Sequence, residues 1–254
     1  MNNSLLTFKQ KVRISRLISN IVGGVLRRQG AHILMYHSIG EVVDDDRNGI
    51  YSIDEADFYS QMRKLIEMDN IDVVKLDNGI ADPNEVIITF DDGFRDTYEV
   101  AAPILSSLEF PFTVFVSPGL IESNDKRYLD KQSLLKLSRI DGCNIGAHGY
   151  SHCRLTECSD KKLQNELEDS KTWLEDLLSI PVNMMSYPHG AVDQRVRDAV
   201  QSAGYEIATS SQPGVNSDKS DCLWLNRTDI WSIDDLKTFS QKVDGVWDWV
   251  RWIV

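Results

Sequence analysis

The stretch 85-EVIITFDDGFRDT-97 decides the fold of this chain, and the end of its apolar run is expected to be functionally important. An apolar run of strand-forming residues ends in two adjacent aspartates, Asp91 and Asp92, and a glycine. Neighbouring carboxylates repel each other when both are ionised, so a metal ion, a base or a shared proton is expected to compensate them. The pattern therefore predicts a buried strand that leads directly into a functional site.

Strand-like and helix-like segments alternate along the chain from residue 31 onward. The expected strands are 32–37, 73–76, 85–90, 112–117, 143–148, 182–187 and 205–210. The expected helices between them are 54–69, 96–108, 130–138, 159–178 and 193–203. Such alternation predicts parallel strands joined by crossover helices. Because polar clusters follow several different strands, we expect an α/β barrel with its site at the carboxyl ends of the strands.

Composition limits the partners that this protein can have. The 254 residues carry a net charge of −12 and are 42% hydrophobic, which allows a large core and argues against nucleic acid as a partner. The four cysteines form no CxxC pair, and the N-terminal segment lacks the apolar run of a secretion signal. We therefore expect a cytoplasmic protein that can also be peripheral to the inner membrane.

Residues 1–30 form a separate basic segment. They contain six basic residues and no acidic ones, a charge of +6, so residues 31–254, predicted to be a single domain, carry −18 to give the net charge of −12. Apolar residues recur at helical spacing in this segment, namely Ile14, Leu17, Ile18, Ile21, Val22, Val25 and Leu26. The pattern predicts an amphipathic helix. It either packs on the domain or makes peripheral membrane contact through residues 8–28 by lying on anionic lipid.

Two common kinds of chemistry have no motif here. The sequence contains neither GxxxxGK[ST] nor GxGxxG, which would hold a nucleotide phosphate. It also lacks the GxSxG turn of serine hydrolases. Nucleotide chemistry and serine hydrolysis are accordingly disfavoured.

Histidines follow three of the predicted strands. His148 and His152 are four positions apart, a spacing that brings two imidazoles to one transition metal. His37 and His189 each lie at or just beyond the end of another strand. One of the two adjacent aspartates would complete a set of two histidines and one carboxylate. The other aspartate would then stay free to act as a base.

The segments TFDDG (89–93), HGYSH (148–152) and YPHG (187–190), in this order and spacing, resemble the polysaccharide deacetylase family. This is the NodB homology fold of carbohydrate esterase family 4, and the resemblance extends over roughly residues 31–230. The motif layout is most similar to that of exopolysaccharide-type deacetylases. The resemblance implies a distorted (β/α)7-type barrel and the removal of an acyl group from an amino sugar.

Carried over residue by residue, the resemblance implies a role for each motif position. Asp91 matches the catalytic base, whereas the metal ligands are expected to be Asp92, His148 and His152. The backbone N–H of His189 matches the donor to the oxyanion. Tyr187 and Pro188 match residues that shape the substrate groove.

Two positions depart from the family pattern. Ser186 occupies the place of an arginine that pairs with the base in many members, and Arg227 is the candidate to replace that arginine, at the edge of the substrate site. No histidine follows His189, so the usual late acid histidine is absent. His37 is therefore expected to be the general acid, with the imidazole of His189 as the alternative.

The expected reaction is metal-dependent hydrolysis of an N-acyl group, acetyl in the first instance, from an amino sugar in O-antigen or exopolysaccharide biosynthesis. The substrate would be a nucleotide-linked or lipid-linked precursor. Zinc is the expected metal, with cobalt, nickel and iron as alternatives for two imidazoles and a carboxylate. Alternative functions are a deformylase of a lipid-linked amino sugar, a non-catalytic carbohydrate-binding barrel and a metal-assisted phosphoesterase.

Overall fold

The structure is a computed structural model, and it describes residues 7–26, 30–41, 43, 46, 48–77 and 82–250. Parts of the predicted N-terminal segment, including Arg27 and Arg28, lie outside the described residues, as does the apolar C-terminal end from Arg251. The strands are β1 (His32–Tyr36), β2 (Ser38–Ile39), β3 (Ser52–Ile53), β4 (Asp72–Val73), β5 (Glu85–Phe90), β6 (Phe112–Val116), β7 (Cys143–Ala147), β8 (Met184–Ser186), β9 (Ile207–Thr209) and β10 (Thr228–Asp229).

In the part of the chain that the structure describes, eight α-helices surround these strands or connect them. They are α1 (Phe8–Leu26), α2 (Glu55–Glu67), α3 (Ala102–Ser107), α4 (Pro118–Glu122), α5 (Lys131–Leu137), α6 (Asp160–Leu178), α7 (Gln194–Ser202) and α8 (Leu236–Val243). A π-helical turn at Thr97–Ala101 precedes α3, and 3₁₀ turns cover Leu155–Glu157 and Pro188–Gly190. Among the described residues, no helix combines the length and the apolar character needed to cross a membrane.

Eight of the ten strands described form one parallel sheet that curves into a barrel, and β2 and β3 pair with each other in a separate sheet. In the large sheet, seven strands follow one another in the order β10-β1-β5-β6-β7-β8-β9, and β4 pairs with the first residues of β5. The two ends of the sheet meet through the chain around β10. There the Leu225 N–H donates to Ala208 of β9, whereas Thr228 pairs with Leu34 of β1. The predicted α/β barrel with distorted closure is therefore confirmed.

Alternating residues of the strands pack on opposite sides of the sheet, as the two-residue period of a strand requires. Leu34 of β1 and Ile88 of β5 belong to the large cluster beneath the outer helices. Ile33 and Ile87, one position earlier on the same strands, belong to a smaller cluster within the barrel, which also contains Phe115. Because both faces are covered, these strands are continuously apolar, as is typical of parallel sheets.

Local sequence signals set the ends of the helices. Asp54 at the start of α2 and Ser159 at the start of α6 each accept a hydrogen bond from a backbone N–H of the first turn. Helix α6 ends at Ser179, which has a left-handed φ of 56°. The expected strand at 73–76 is wrong in extent, because β4 pairs with β5 only at Asp72 and Val73.

The carboxyl ends of the parallel strands all lie at one rim of the barrel. His37 directly follows β1, Asp91 and Asp92 directly follow β5, and His148 directly follows β7. The first residues of the YPHG segment follow β8 at the same rim. The topology thus brings polar residues from distant parts of the sequence together at this rim.

Candidate metal centre

Asp92, His148 and His152 converge at the rim. The Nε2 atoms of His152 and His148 lie 3.0 and 3.4 Å from Oδ1 of Asp92. The three potential ligand atoms all lie within 4.8 Å of one another. Ligand atoms about 2.0–2.2 Å from one ion, at tetrahedral or octahedral angles, are separated by roughly 2.8–3.6 Å. The arrangement therefore fits a single transition-metal ion.

Contacts behind the imidazole of His148 fix how it faces the centre. Its Nδ1 lies 2.8 Å from the backbone oxygen of Ser186. An Nδ1–H that donates to this oxygen leaves Nε2 as a lone pair directed toward Asp92. Oδ1 of Asp92 is buried and receives no hydrogen bond of normal geometry from the described residues. Converging lone pairs of this kind are unfavourable without a cation between them.

Charge and backbone conformation at the centre are both unusual. Burial raises the pKa of Asp92, but the His152 and His148 imidazoles outweigh burial and hold this pKa well below its ordinary value. Asp92 and His152 also have left-handed φ angles of 72° and 57°. Such strained residues cluster at functional sites, where the surrounding structure enforces them.

Glu166 of α6 holds the turn that carries the histidines. This buried side chain accepts hydrogen bonds from the N–H of Tyr150 (2.9 Å) and the N–H of Ser151 (2.8 Å). It also accepts one from the Ser151 hydroxyl (2.6 Å). The turn between His148 and His152 is thereby fixed to a long helix rather than left as a free loop.

Asp91 is held by a buried arginine from the other end of the chain. Nη1 and Nη2 of Arg227 donate to its two carboxylate oxygens at 2.8 and 2.6 Å. The Ser186 hydroxyl accepts from Nη2 of Arg227 at 2.7 Å and donates to Oδ2 of Asp91 at 3.3 Å. Burial raises the pKa of Asp91, but Arg227 and His148 hold it below its ordinary value. Arg227 therefore occupies the role of the arginine that Ser186 replaces in the motif.

His37 lies at the same rim as the two aspartates. Its positive form would lower the pKa values of Asp91, Asp92 and Asp229, which places it within electrostatic reach of all three. Its ring centroid lies 4.5 Å from that of Tyr51. Burial raises the pKa of Asp229, whose carboxylate lies at the end of β10. The structure thus brings His37 together with the metal centre and with one further acidic group.

The YPHG segment forms the wall beyond β8. His189 is exposed, its Nε2 lies 3.1 Å from the backbone oxygen of His152, and its ring centroid is 4.5 Å from that of His152. Partial desolvation of the ring by the surrounding protein, together with the neighbouring His152, lowers the pKa of His189. Its φ of 58° forms a tight turn next to the centre.

The three residues that the sequence analysis assigned to the substrate site, Tyr187, Pro188 and Arg227, are all buried. The Tyr187 hydroxyl donates to the backbone oxygen of Leu223 at 2.6 Å, and the guanidinium of Arg227 is fully used inside the barrel. These three residues therefore support the wall and the base from behind, and their burial argues against direct contact with a sugar.

No pattern in the sequence indicates that Glu166 and Asp229 belong to the site. Glu166 lies on the exposed-looking, charge-rich sequence of α6, and Asp229 lies in a segment of two strand residues. Only the tertiary structure places the first against the histidine turn and the second near His37. Ser186 did carry a signal, because it occupies a motif position where an arginine is common.

Comparison with known proteins agrees with this geometry. A family model described as polysaccharide deacetylase matches residues 78–208. The Bacillus subtilis protein YxkH is 27% identical over 145 residues, which are 57% of this chain and 51% of that protein. The peptidoglycan-N-acetylglucosamine deacetylase of Bacillus cereus is 30% identical over 142 residues, 52% of this chain and 63% of that enzyme. The chain thus covers less than two thirds of the length of either relative.

Solved structures share the fold. The deacetylase PplD of Streptococcus pyogenes superposes with a TM-score of 0.75 at 23% identity, covering 84% of this chain and 98% of that one. IcaB from Ammonifex degensii superposes with a TM-score of 0.68 at 18% identity, covering 87% and 98%. At these identities the likeness concerns the fold alone. Because the family model covers more than half of the chain and includes both aspartates and both histidines of the centre, this chain belongs to the polysaccharide deacetylase family.

Proposed function

We propose that this protein is a metal-dependent hydrolase that removes an N-acyl group, in the first instance acetyl, from an amino sugar. One observation carries the proposal. The ligand atoms of Asp92, His148 and His152 lie close together, and Asp91 lies beside them in a buried ion pair with Arg227. The family supplies the substrate class. The Bacillus cereus relative is named for deacetylation of N-acetylglucosamine in peptidoglycan.

Asp92, His148 and His152 would hold the metal. A divalent ion supplies a Lewis acid there, which polarises an amide carbonyl and makes water acidic enough to lose a proton near neutral pH. Two imidazoles and one carboxylate suit zinc, and we propose zinc over cobalt, nickel or iron. Every other requirement of the reaction falls on side chains of this chain.

Asp91 acts as the general base. Its Oδ2 lies 3.8 Å from Nε2 of His148, so the carboxylate is adjacent to the metal ligands. Arg227 and the Ser186 hydroxyl together engage both lone pairs of Oδ2 and one of Oδ1, which leaves a lone pair of Oδ1 to accept a proton. The same arginine keeps Asp91 ionised, which a base requires, and prevents it from turning toward the metal.

His37 acts as the general acid. An amide nitrogen leaves poorly as an anion, so a proton must reach it as the carbon–nitrogen bond breaks. His37 lies at the same rim as Asp91 and Asp229 and within electrostatic reach of both, which puts its imidazole beside the base and the metal ligands. The backbone N–H of His189 donates to the oxyanion, a contact whose loss costs about 3–4 kcal/mol in related chemistry.

The amino sugar belongs, in this proposal, to the biosynthesis of a surface polysaccharide such as O-antigen or exopolysaccharide. We place the enzyme in the cytoplasm, where nucleotide-linked and lipid-linked precursors are available. The family resemblance and the named N-acetylglucosamine substrate of the relative support a sugar amide over other amides.

Two variants separate the base from the metal ligands. In Asp91→Asn we expect wild-type zinc content and loss of amine release from N-acetylglucosamine oligomers, because an amide cannot accept the proton. In His148→Ala we expect both zinc and turnover to be lost. Asp141→Asn, an exposed aspartate away from the rim, is the matched control and keeps both.

The readouts are metal analysis and mass spectrometry of the sugar, in which the mass lost distinguishes acetyl from formyl. Wild-type turnover in Asp91→Asn would refute the assignment of the base. A wild-type protein that holds zinc but releases no amine from any N-acyl sugar in a broad panel would instead indicate a binding barrel.

A further inference from the structure

Helix α1 packs on the domain with its small and polar side. Val12, Ser15 and Ser19 are buried against the body of the protein. Arg16 Nη2 donates to the backbone oxygen of Ile233 at 2.7 Å, and Phe8 packs edge-on against Trp231 at 5.4 Å between ring centroids. These contacts attach α1 to the chain that follows β10.

Four large aliphatic residues of α1 point the other way. Ile21 is 74% exposed and Leu17 is 64% exposed, and Ile14 and Ile18 are each 37% exposed. At about 100° per residue these four share one stripe, opposite to the side that carries Val12, Ser15 and Ser19. A helix normally buries its aliphatic side and exposes its polar side. The reversed arrangement of α1 indicates a second apolar environment on its outer side.

Positive charge borders this aliphatic stripe on both sides. Arg13 lies one turn before Leu17 and is exposed, and Lys9 lies one further turn before it. Lys11 lies two turns before Ile18, on the other border of the stripe. Residues 1–30 contain no acid, whereas the rest of the chain is strongly acidic. Aliphatic residues flanked by Lys and Arg fit the boundary between acyl chains and anionic headgroups, where the charged ends reach the phosphates.

The same helix is fixed at the rim that carries the metal centre. Trp231 and Ile233 follow the carboxyl end of β10, only two and four residues after Asp229. Ile50, which packs in the same cluster as Val12 and Trp231, is adjacent to Tyr51, whose ring lies against His37. A surface that binds the outer side of α1 is therefore close to the end of the barrel where the substrate would enter.

We infer that α1 docks this domain on an anionic membrane surface and that the amino sugar is presented from that surface on a lipid carrier. The second part rests on the proposed deacetylase function, whereas the docking itself does not. A second copy of this chain is the less suitable occupant, because pairing two α1 stripes would bring their bordering lysines and arginines together. The acidic body of the domain is repelled by the same membrane, which favours contact through α1 alone.

The test is sedimentation of the full chain with vesicles of phosphatidylcholine, with and without phosphatidylglycerol. We expect binding to the anionic vesicles, about fivefold weaker binding for each of Lys9 and Arg13 replaced by Gln, and weak binding to neutral vesicles. The double variant Leu17→Asp/Ile21→Asp should lose at least tenfold in affinity. Ile66→Asp on α2, an aliphatic residue that is 49% exposed elsewhere, is the control and should bind like the wild type.

Activity assays separate this inference from the proposed function. The Leu17→Asp/Ile21→Asp variant should release amine from soluble N-acetylglucosamine oligomers at the wild-type rate. Its rate of amine release should fall at least tenfold on polyprenyl-diphosphate-linked N-acetylglucosamine embedded in the anionic vesicles. Equal sedimentation of the double variant and the Ile66→Asp control would overturn the docking, as would a concentration-dependent dimer that only the double variant abolishes. Sedimentation without turnover on either substrate would sustain the docking and overturn the proposed deacetylase function, whereas equal turnover of the wild type and the double variant on the embedded substrate would overturn the lipid carrier alone.

Discussion

Replacing Glu166 with alanine tests whether the histidine turn must be held from behind for the site to bind metal. The carboxylate accepts three hydrogen bonds of 2.6–2.9 Å from Tyr150 and Ser151. Glu166→Ala removes all three acceptors at once. It leaves the metal ligands themselves unchanged, so any effect on metal binding acts through their position.

The size of the effect follows from these contacts. A hydrogen bond to a charged group contributes about 1.5–3 kcal/mol, and water can replace part of the loss because Ser151 is exposed. We therefore expect the free energy of unfolding to fall by about 2–4 kcal/mol. Loss of a residue that orients a metal ligand typically weakens metal affinity about 10–100-fold. This range corresponds to about 1.4–2.7 kcal/mol of binding free energy.

Urea unfolding with and without excess zinc measures both quantities. Zinc stabilises the folded chain according to its affinity, so the gain on adding zinc should be about 1.4–2.7 kcal/mol smaller in Glu166→Ala than in the wild type. Glu168→Ala, on the same helix but exposed, makes the same change in charge and should match the wild type. The reasoning fails if a folded Glu166→Ala protein gains as much stability from zinc as the wild type does.

Three further substitutions address the base, the barrel and the acid. Arg227→Met leaves a buried carboxylate without its cation, so the free energy of unfolding should fall by about 3–5 kcal/mol in urea unfolding and amine release should be lost. Its control is Arg197→Met, in an ion pair at the surface, which should lower the free energy of unfolding by no more than about 1 kcal/mol. Gly146→Ala places a methyl group 2.5 Å from Cδ1 of Phe115, and the overpacking should cost about 1–3 kcal/mol; an unchanged melting temperature would contradict the close packing of β7 on β6. His37→Gln should keep its zinc while turnover falls about 10²–10⁴-fold, and wild-type turnover would show that the acid is another group.

The parts of the site that lie within short segments could be predicted from the sequence. Asp91 and Asp92 follow an apolar strand, and His148 and His152 have a spacing that suits one metal ion, so both halves of the centre are visible in short segments. The alternation of strands and helices then predicts that these segments share one rim. No long-range contact has to be known for that inference, because parallel strands place their carboxyl ends together.

The supporting residues depend on contacts between distant parts of the chain. Arg227 reaches Asp91 across 136 residues of sequence, and its pairing could be suggested only because Ser186 leaves a motif position without its arginine. Glu166 belongs to an ordinary charged helix by its pattern, and nothing in that pattern shows which carboxylate is turned inward. The exposure of the aliphatic side of α1 is likewise a property of packing, since the amphipathic sequence alone is compatible both with packing of this side on the domain and with contact to lipid.

Anomalous diffraction at the zinc absorption edge, from crystals of the zinc-loaded protein, tests the central claim most directly. We predict one strong peak about 2.0–2.2 Å from Oδ1 of Asp92 and from the Nε2 atoms of His148 and His152, with Asp91 outside bonding distance. A map with no peak among these three residues, or with Asp91 as a ligand, would contradict the account.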